Sequence, residues 1–212
     1  MSLESLKEMA FKRIRADIVS NILLPGQSLN ERELSTQLKI SKTPIREAIQ
    51  LLYKEGFVHV IPQKGSFVST VTLTDIREIM QIREGLEPIA AGEAALKRDP
   101  TKIQELEKSL TMLAQDAKRD RQIMSDLGNQ FHLFLIETSG NQRLINILKN
   151  LNIHMDRIRA IFCFRNTFDY HDQALSEHRA IARAVLDQDS REAERLMRAH
   201  IERYWRILRD MA

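Results

Sequence analysis

Cysteine is nearly absent from this chain: there is one, Cys163, in 212 residues. A single thiol excludes an intrachain disulfide framework and fits a reducing compartment, the cytoplasm. Its setting, Ile161-Phe162-Cys163-Phe164, reads as a small buried hydrophobe rather than a nucleophile. Long apolar runs are also missing, so no stretch approaches a membrane span. The first residues, Met1-Ser2-Leu3-Glu4-Ser5-Leu6-Lys7, lack the apolar core of a signal peptide. No phosphate-binding glycine loop and no Ser or Cys triad spacing is visible. There is no low-complexity tether and no internal repeat. A large excess of one charge is lacking too, at a formal net charge of +3.

What is present begins with the distribution of that charge. Residues 1–71 hold ten Lys/Arg against seven Asp/Glu, and residues 72–212 hold twenty-two of each. The whole excess lies in the first third of the chain, which suits a polyanionic partner there. With 43% apolar residues the chain can bury a core, and its length suits one or two domains.

Residues 29–57 read as two short helices at a tight turn. Asn30 is placed to cap the first, with Glu33 completing a capping box. Leu34 and Leu38 share a face. Lys39-Ile40-Ser41 is the turn. Ser41 is placed to cap the second helix, and Pro44 falls in its first turn, where no intrahelical N–H is needed. Ile45, Ile49 and Leu52 line its buried face, and Gly56 ends it. Phe57-Val58-His59-Val60-Ile61 and Ser66-Phe67-Val68-Ser69-Thr70-Val71 read as strands about the turn Pro62-Gln63-Lys64-Gly65. A helix-turn-helix followed at once by a hairpin is a winged reader of the DNA major groove. The alternative is a helical hairpin on a ribbon with solvated charges.

An amphipathic helix over 5–21 precedes it, with Leu6, Met9, Ile14, Ile18 and Ile22 spaced for one face. From residue 75 onward the periodicity is helical throughout. It predicts six helices, over 75–97, 101–118, 121–138, 142–163, 171–187 and 190–211, with Pro88 as a kink in the first and inward stripes that include Ile82 and Ile89, Leu106 and Leu113, Met124, and Ile147 and Phe162. The expected fold class is mainly α: an N-terminal winged helix-turn-helix plus a C-terminal all-helical antiparallel bundle. The expected division is 1–71 for the DNA-binding domain, 72–78 for a linker and the start of the first bundle helix, and 79–212 for the helical domain.

Three histidines lie inside apolar stripes of different helices: His132, His178 and His200. One inward histidine is usually a core residue, whereas three from separate helices can converge on a divalent metal such as zinc or nickel. Arg83 sits between Ile79 and Leu86 on a buried stripe. A buried guanidinium needs an anion, either Glu87 one turn on or a small carboxylate ligand. Arg157 and Arg159 are weaker versions of the same feature. His154 reads as structural, His59 and His171 as exposed, and Asn141 as a helix cap.

The run Leu24-Pro25-Gly26, Leu29-Asn30-Glu31-Arg32-Glu33-Leu34, Ser41-Lys42-Thr43-Pro44-Ile45-Arg46-Glu47-Ala48, Gly56-Phe57 and Gly65-Ser66-Phe67-Val68 resembles the GntR family of bacterial transcription regulators. That resemblance is dense over residues 10–71. It implies a homodimer on a double-stranded operator, with Arg32, Ser41, Lys42, Thr43 and Arg46 at the DNA and Gln63, Lys64 and Gly65 of the wing reaching a groove. Lys42 stands where many members carry Arg. The pattern Phe131-His132, Ser139-Gly140-Asn141, Glu177-His178 and Ala199-His200 resembles, over residues 75–212, the FCD effector domain of the FadR subgroup. Many such domains hold a divalent metal with three histidines and an acid four residues before the first. That position here is Gly128. Asn129 offers a weaker oxygen, and Asp126 faces elsewhere. An aspartate placed at 128 is expected to raise metal affinity.

These readings imply a transcription regulator, not an enzyme, whose operator affinity is set by a small organic acid. Arg83, Asn129, His132, His178 and His200 are its expected effector contacts, and the three histidines the expected metal ligands. The alternative is a metal-dependent enzyme built on the three histidines, which would leave the winged helix unexplained. A constitutive architectural DNA binder would leave the helical domain unexplained.

Overall fold

The computed structural model describes residues 5–97, 99–115, 121–162 and 168–211. The elements in order are α1 (Leu6–Val19), α2 (Glu31–Leu38), α3 (Lys42–Lys54), β1 (Val58–Ile61), β2 (Gly65–Val68), α4 (Leu73–Leu96), α5 (Pro100–Gln115), α6 (Arg121–Thr138), α7 (Gln142–Phe162), α8 (Phe168–Leu186) and α9 (Ser190–Met211). They form two compact units, one of residues 1–72 with 153–161, the other of residues 73–152 with 162–212. No helix among the described residues is long and apolar enough to cross a membrane.

In the first unit, helix ends follow local chemistry. Ser5 and Glu8 form a reciprocal capping box at the start of α1. Ala10, Ile14 and Ile18, four residues apart, bury its inner face. Leu6, Met9 and Ile22, expected on that face, are exposed instead. The helix stops at Val19, and Asn21 takes a positive φ of 58°, so Ile22 leaves the helical register. At α2 the side-chain oxygen of Asn30 accepts the amides of Arg32 and Glu33, at 2.9 and 3.3 Å. Glu33 reaches the side-chain amide of Asn30 at 3.2 Å and not its backbone, so the expected capping box is half made.

Lys39 closes α2 in the left-handed region, and Ser35 Oγ donates to the Ile40 carbonyl at 2.6 Å across the turn. Ser41 stands at the N-cap of α3 without a side-chain cap bond, contrary to expectation, and its hydroxyl is exposed. β1 and β2 pair antiparallel, with Val58 opposite Val68 and Ile61 opposite Gly65. Pro62 followed by Gln63 at φ 64° fits a type II turn, closed by Lys64 N–H donating to the Ile61 carbonyl at 3.0 Å.

The segment after Pro25 also joins this ribbon. Gly26 and Leu29 donate to the Val68 and Ser66 carbonyls at 2.9 and 2.8 Å, and Val68 donates back to Gln27. Behind the ribbon the core includes Ile14, Leu34, Ile45, Leu52, Phe57 and Val68. His154 stacks on Phe57 at 4.3 Å, the structural role read from the sequence, and Arg157 donates to the Ser69 carbonyl.

The second unit is all helical among the described residues, with the expected six helices. α4 and α9 lie against each other through small residues: Ala90, Ala91, Ala94 and Ala95 of α4 are buried, and a Cβ on Gly92 would stand 2.4 Å from the Glu194 carboxylate. Pro88 sits inside α4, where its missing N–H frees the Glu84 carbonyl. Arg198 of α9 supplies the replacement donor at 3.1 Å. Pro100 takes the first position of α5, where its fixed φ suits a helix start.

α8 begins at Phe168, three residues before the expected start. Asn141 caps α7, its side-chain oxygen accepting the Leu144 amide at 3.2 Å. Ile147, expected inward, is exposed, and Ile145 is buried instead. On α4 Ile82 and Ile89 are likewise exposed rather than core. The expectations for Leu106, Leu113, Met124, Phe162, Cys163 and His171 lie outside the described side chains.

Candidate functional site

Two places gather the expected functional residues, one in each unit. In the first, Arg32, Ser41, Lys42, Thr43 and Arg46 are all exposed at the start of α2 and along the first turns of α3. Gln63, Lys64 and Gly65 are exposed at the tip of the β1–β2 turn. The α3 amphipathy explains this: Ile45, Ala48, Ile49 and Leu52 turn inward, which leaves the opposite face free. Arg46 does not stand alone. Its Nε and Nη2 donate to the two carboxylate oxygens of Glu31 at 3.1 and 2.8 Å. The hydrogen bond and the charge of Arg46 hold the Glu31 carboxyl below its ordinary range. Sequence spacing gives no sign of this pair, because the partners lie on different helices.

In the second unit His132 of α6, His178 of α8 and His200 of α9 come together, all buried. Their ring centroids are 4.6 to 5.2 Å apart, and one nitrogen from each lies within 4.8 Å of the others. The convergence read from three separate stripes is therefore present in the fold. Arg83 is buried as expected, and of its two candidate anions it is the internal one, Glu87, that meets its Nε. Asn129 is half-buried one turn before His132, and Asp126 is exposed.

Two carboxylates that the sequence reading did not connect to the histidines complete the cluster. Glu87 of α4 accepts from Nδ1 of His132 at 2.6 Å while pairing with Arg83. Glu177 accepts from Nδ1 of His200 at 2.7 Å while receiving a fork from Arg203, Nε at 2.5 Å and Nη2 at 2.8 Å. Two parallel relays result, Arg83–Glu87–His132 and Arg203–Glu177–His200. Nothing in one-helix periodicity pairs α4 with α6, or α8 with α9.

Burial sets the protonation of the ring. It pushes His132 down to about 4 against the favourable charge of Glu87. It also lowers His200, and it holds His178 well below the usual histidine range, helped by the neighbouring imidazoles. Burial would raise Glu87, but the charge of Arg83 and the hydrogen bonds from His132 and Arg83 outweigh it and keep the carboxyl ionised. The site is thus three neutral imidazoles backed by two ionised carboxylates, each neutralised by its own guanidinium.

Such a donor set fits a divalent metal. Neutral imidazole nitrogen is a zinc-type ligand, and tetrahedral bonds of about 2.0–2.1 Å place two donors roughly 3.3 Å apart. Nε2 of His178 and Nε2 of His200 are 3.2 Å apart. Position 128 is tighter than its glycine suggests: a Cβ there would stand 3.0 Å from Cε1 of His178. The expectation that an aspartate at 128 simply adds a ligand is therefore qualified, since the His178 ring must give way first.

Comparison with known proteins places both units. Residues 6–68 match the description "Bacterial regulatory proteins, gntR family", and residues 78–203 match "FCD domain". The chain is 27% identical over 205 residues to the HTH-type transcriptional repressor RspR of Escherichia coli K12, covering 94% of this chain and 87% of that one. It is 30% identical over 196 residues to the HTH-type regulator YdhC of Bacillus subtilis, covering 90% and 85%. Its fold is that of E. coli McbR/YncC, with a TM-score of 0.76 at 21% identity over 97% of this chain and 98% of the other. These relatives are regulators, and none supports the metal-dependent enzyme read as the alternative. The chain belongs to the gntR family of bacterial regulatory proteins, in the group that carries an FCD domain, and it regulates transcription by binding DNA.

Proposed function

We propose that the regulator senses a small organic acid through a divalent metal, zinc or nickel-like, held by His132, His178 and His200. The observation that carries this reading is the convergence of three neutral, buried imidazoles from three helices. Three neutral ligands leave a dication's charge uncancelled, and each nearby carboxylate is already matched by an arginine. An open coordination position would therefore favour an anion, and a carboxylate supplies one. Asn129 stands one turn from His132 to orient it, and Arg83 acts through its pair with Glu87. The test is calorimetric titration of zinc, then of a carboxylate panel, into metal-stripped protein. Zinc binding at a stoichiometry of one per chain, followed by tighter uptake of one acid than in the stripped protein, is expected. No zinc uptake near neutral pH overturns the reading.

On the DNA side, the proposed operator contacts are Arg32, Ser41, Lys42, Thr43 and Arg46 with Gln63, Lys64 and Gly65. Two such readers on a two-fold operator require a dimer, and the cytoplasm is the compartment that holds the DNA. The face of α4 bearing Ile82, Ile89 and Leu96 suits the pairing surface. The three residues recur every seven positions and are 43%, 43% and 62% exposed, a seam of coiled-coil spacing. Ile89→Glu should convert the dimer to a monomer of about half the mass by light scattering at micromolar concentration, without loss of helical signal. A dimer that survives this change places the pairing surface elsewhere.

A further inference from the structure

We infer that Glu87 and Glu177 are positioning residues that fix His132 and His200 as Nε2 donors. This rests on the metal reading above for its functional meaning, but its structural content stands on the contacts alone.

A neutral imidazole has one N–H and one bare nitrogen, and a carboxylate on one nitrogen decides which is which. Glu87 faces Nδ1 of His132, and Glu177 faces Nδ1 of His200. Both rings therefore carry their proton on Nδ1 and turn a bare Nε2 inward. Each carboxylate is itself held by a guanidinium, so neither is free to rotate away.

Nitrogen-15 two-bond correlation spectra of metal-free and zinc-loaded protein test this. His132 and His200 should show the Nδ1–H tautomer in both states. Glu177→Ala should weaken zinc binding by about 10–100-fold, the usual cost of losing such a partner. The metal-free melting temperature of this variant reports any general loosening through Arg203. The Nε2–H form at metal-free His132 or His200, or unchanged zinc affinity in Glu177→Ala, overturns the positioning roles. Zinc failing to bind the wild type overturns the functional reading instead, and the metal-free spectra still decide the tautomers.

Discussion

Glu87→Ala should destabilise the helical unit by about 3–5 kcal/mol, the typical cost of breaking a buried ion pair by removing one partner. Glu87 and Arg83 are each about 4% exposed at the side chain, so water cannot replace the lost carboxylate. Among the described residues the remaining guanidinium keeps only the weak Met80 Sδ contact at 3.8 Å, and His132 loses its Nδ1 acceptor. Two buried polar groups are stranded by one substitution. Thermal and denaturant unfolding of the metal-free protein measure the effect. A loss below about 1 kcal/mol would mean that solvent reaches the pair. Glu87→Gln should cost less, because the amide oxygen still accepts from Nδ1 of His132.

Arg46→Ala should remove discrimination for the operator while leaving the fold intact. Arg46 is 63% exposed at the side chain and lies off the buried face of α3, so truncation opens no cavity. A lost base contact costs roughly 1–3 kcal/mol of discrimination, about 5- to 150-fold in affinity ratio. Glu31 takes Nε and Nη2, which leaves Nη1 outside that pair. Lys64→Ala at the wing tip should instead weaken operator and random duplex alike and lower the salt dependence of binding. Duplexes selected from a random pool by the purified protein provide the operator for both measurements. Equal operator-to-random ratios in wild type and Arg46→Ala at matched salt would remove Arg46 from base reading.

The reading head was legible in the sequence because its signals are local. Asn30 before Glu31-Arg32-Glu33, Pro44 one turn into α3, and Gly65 after Pro62-Gln63-Lys64 each act within a few residues. The inward histidines were legible for the same reason, since helical period alone sets a face. What escaped depends on which helix lies against which. Glu87 read as a partner for Arg83 one turn away, and its bond to His132 arises only when α4 meets α6. Glu177 and Arg203 stand beside His178 and His200 in sequence, yet the fork between them joins α8 to α9. Ile82 and Ile89 look like core residues to a periodicity argument, which cannot separate a buried face from an exposed one. The pairing of residues 26–29 with β2 escaped because Pro25-Gly26 reads as a stop, whereas the chain turns there and rejoins the ribbon.

The most direct test of the account is operator affinity in three states of one preparation: metal-stripped, zinc-loaded, and zinc-loaded with the acid that calorimetry selects. Linkage requires that an acid binding one DNA affinity state more tightly shifts operator binding by the same factor in which the operator shifts acid binding. The account predicts an acid-dependent change of about 5- to 150-fold, the range of typical coupling energies, in the zinc-loaded protein. It predicts that the same acid has little effect on the stripped protein or on zinc-treated His178→Ala. An operator affinity that is the same in all three states would contradict it.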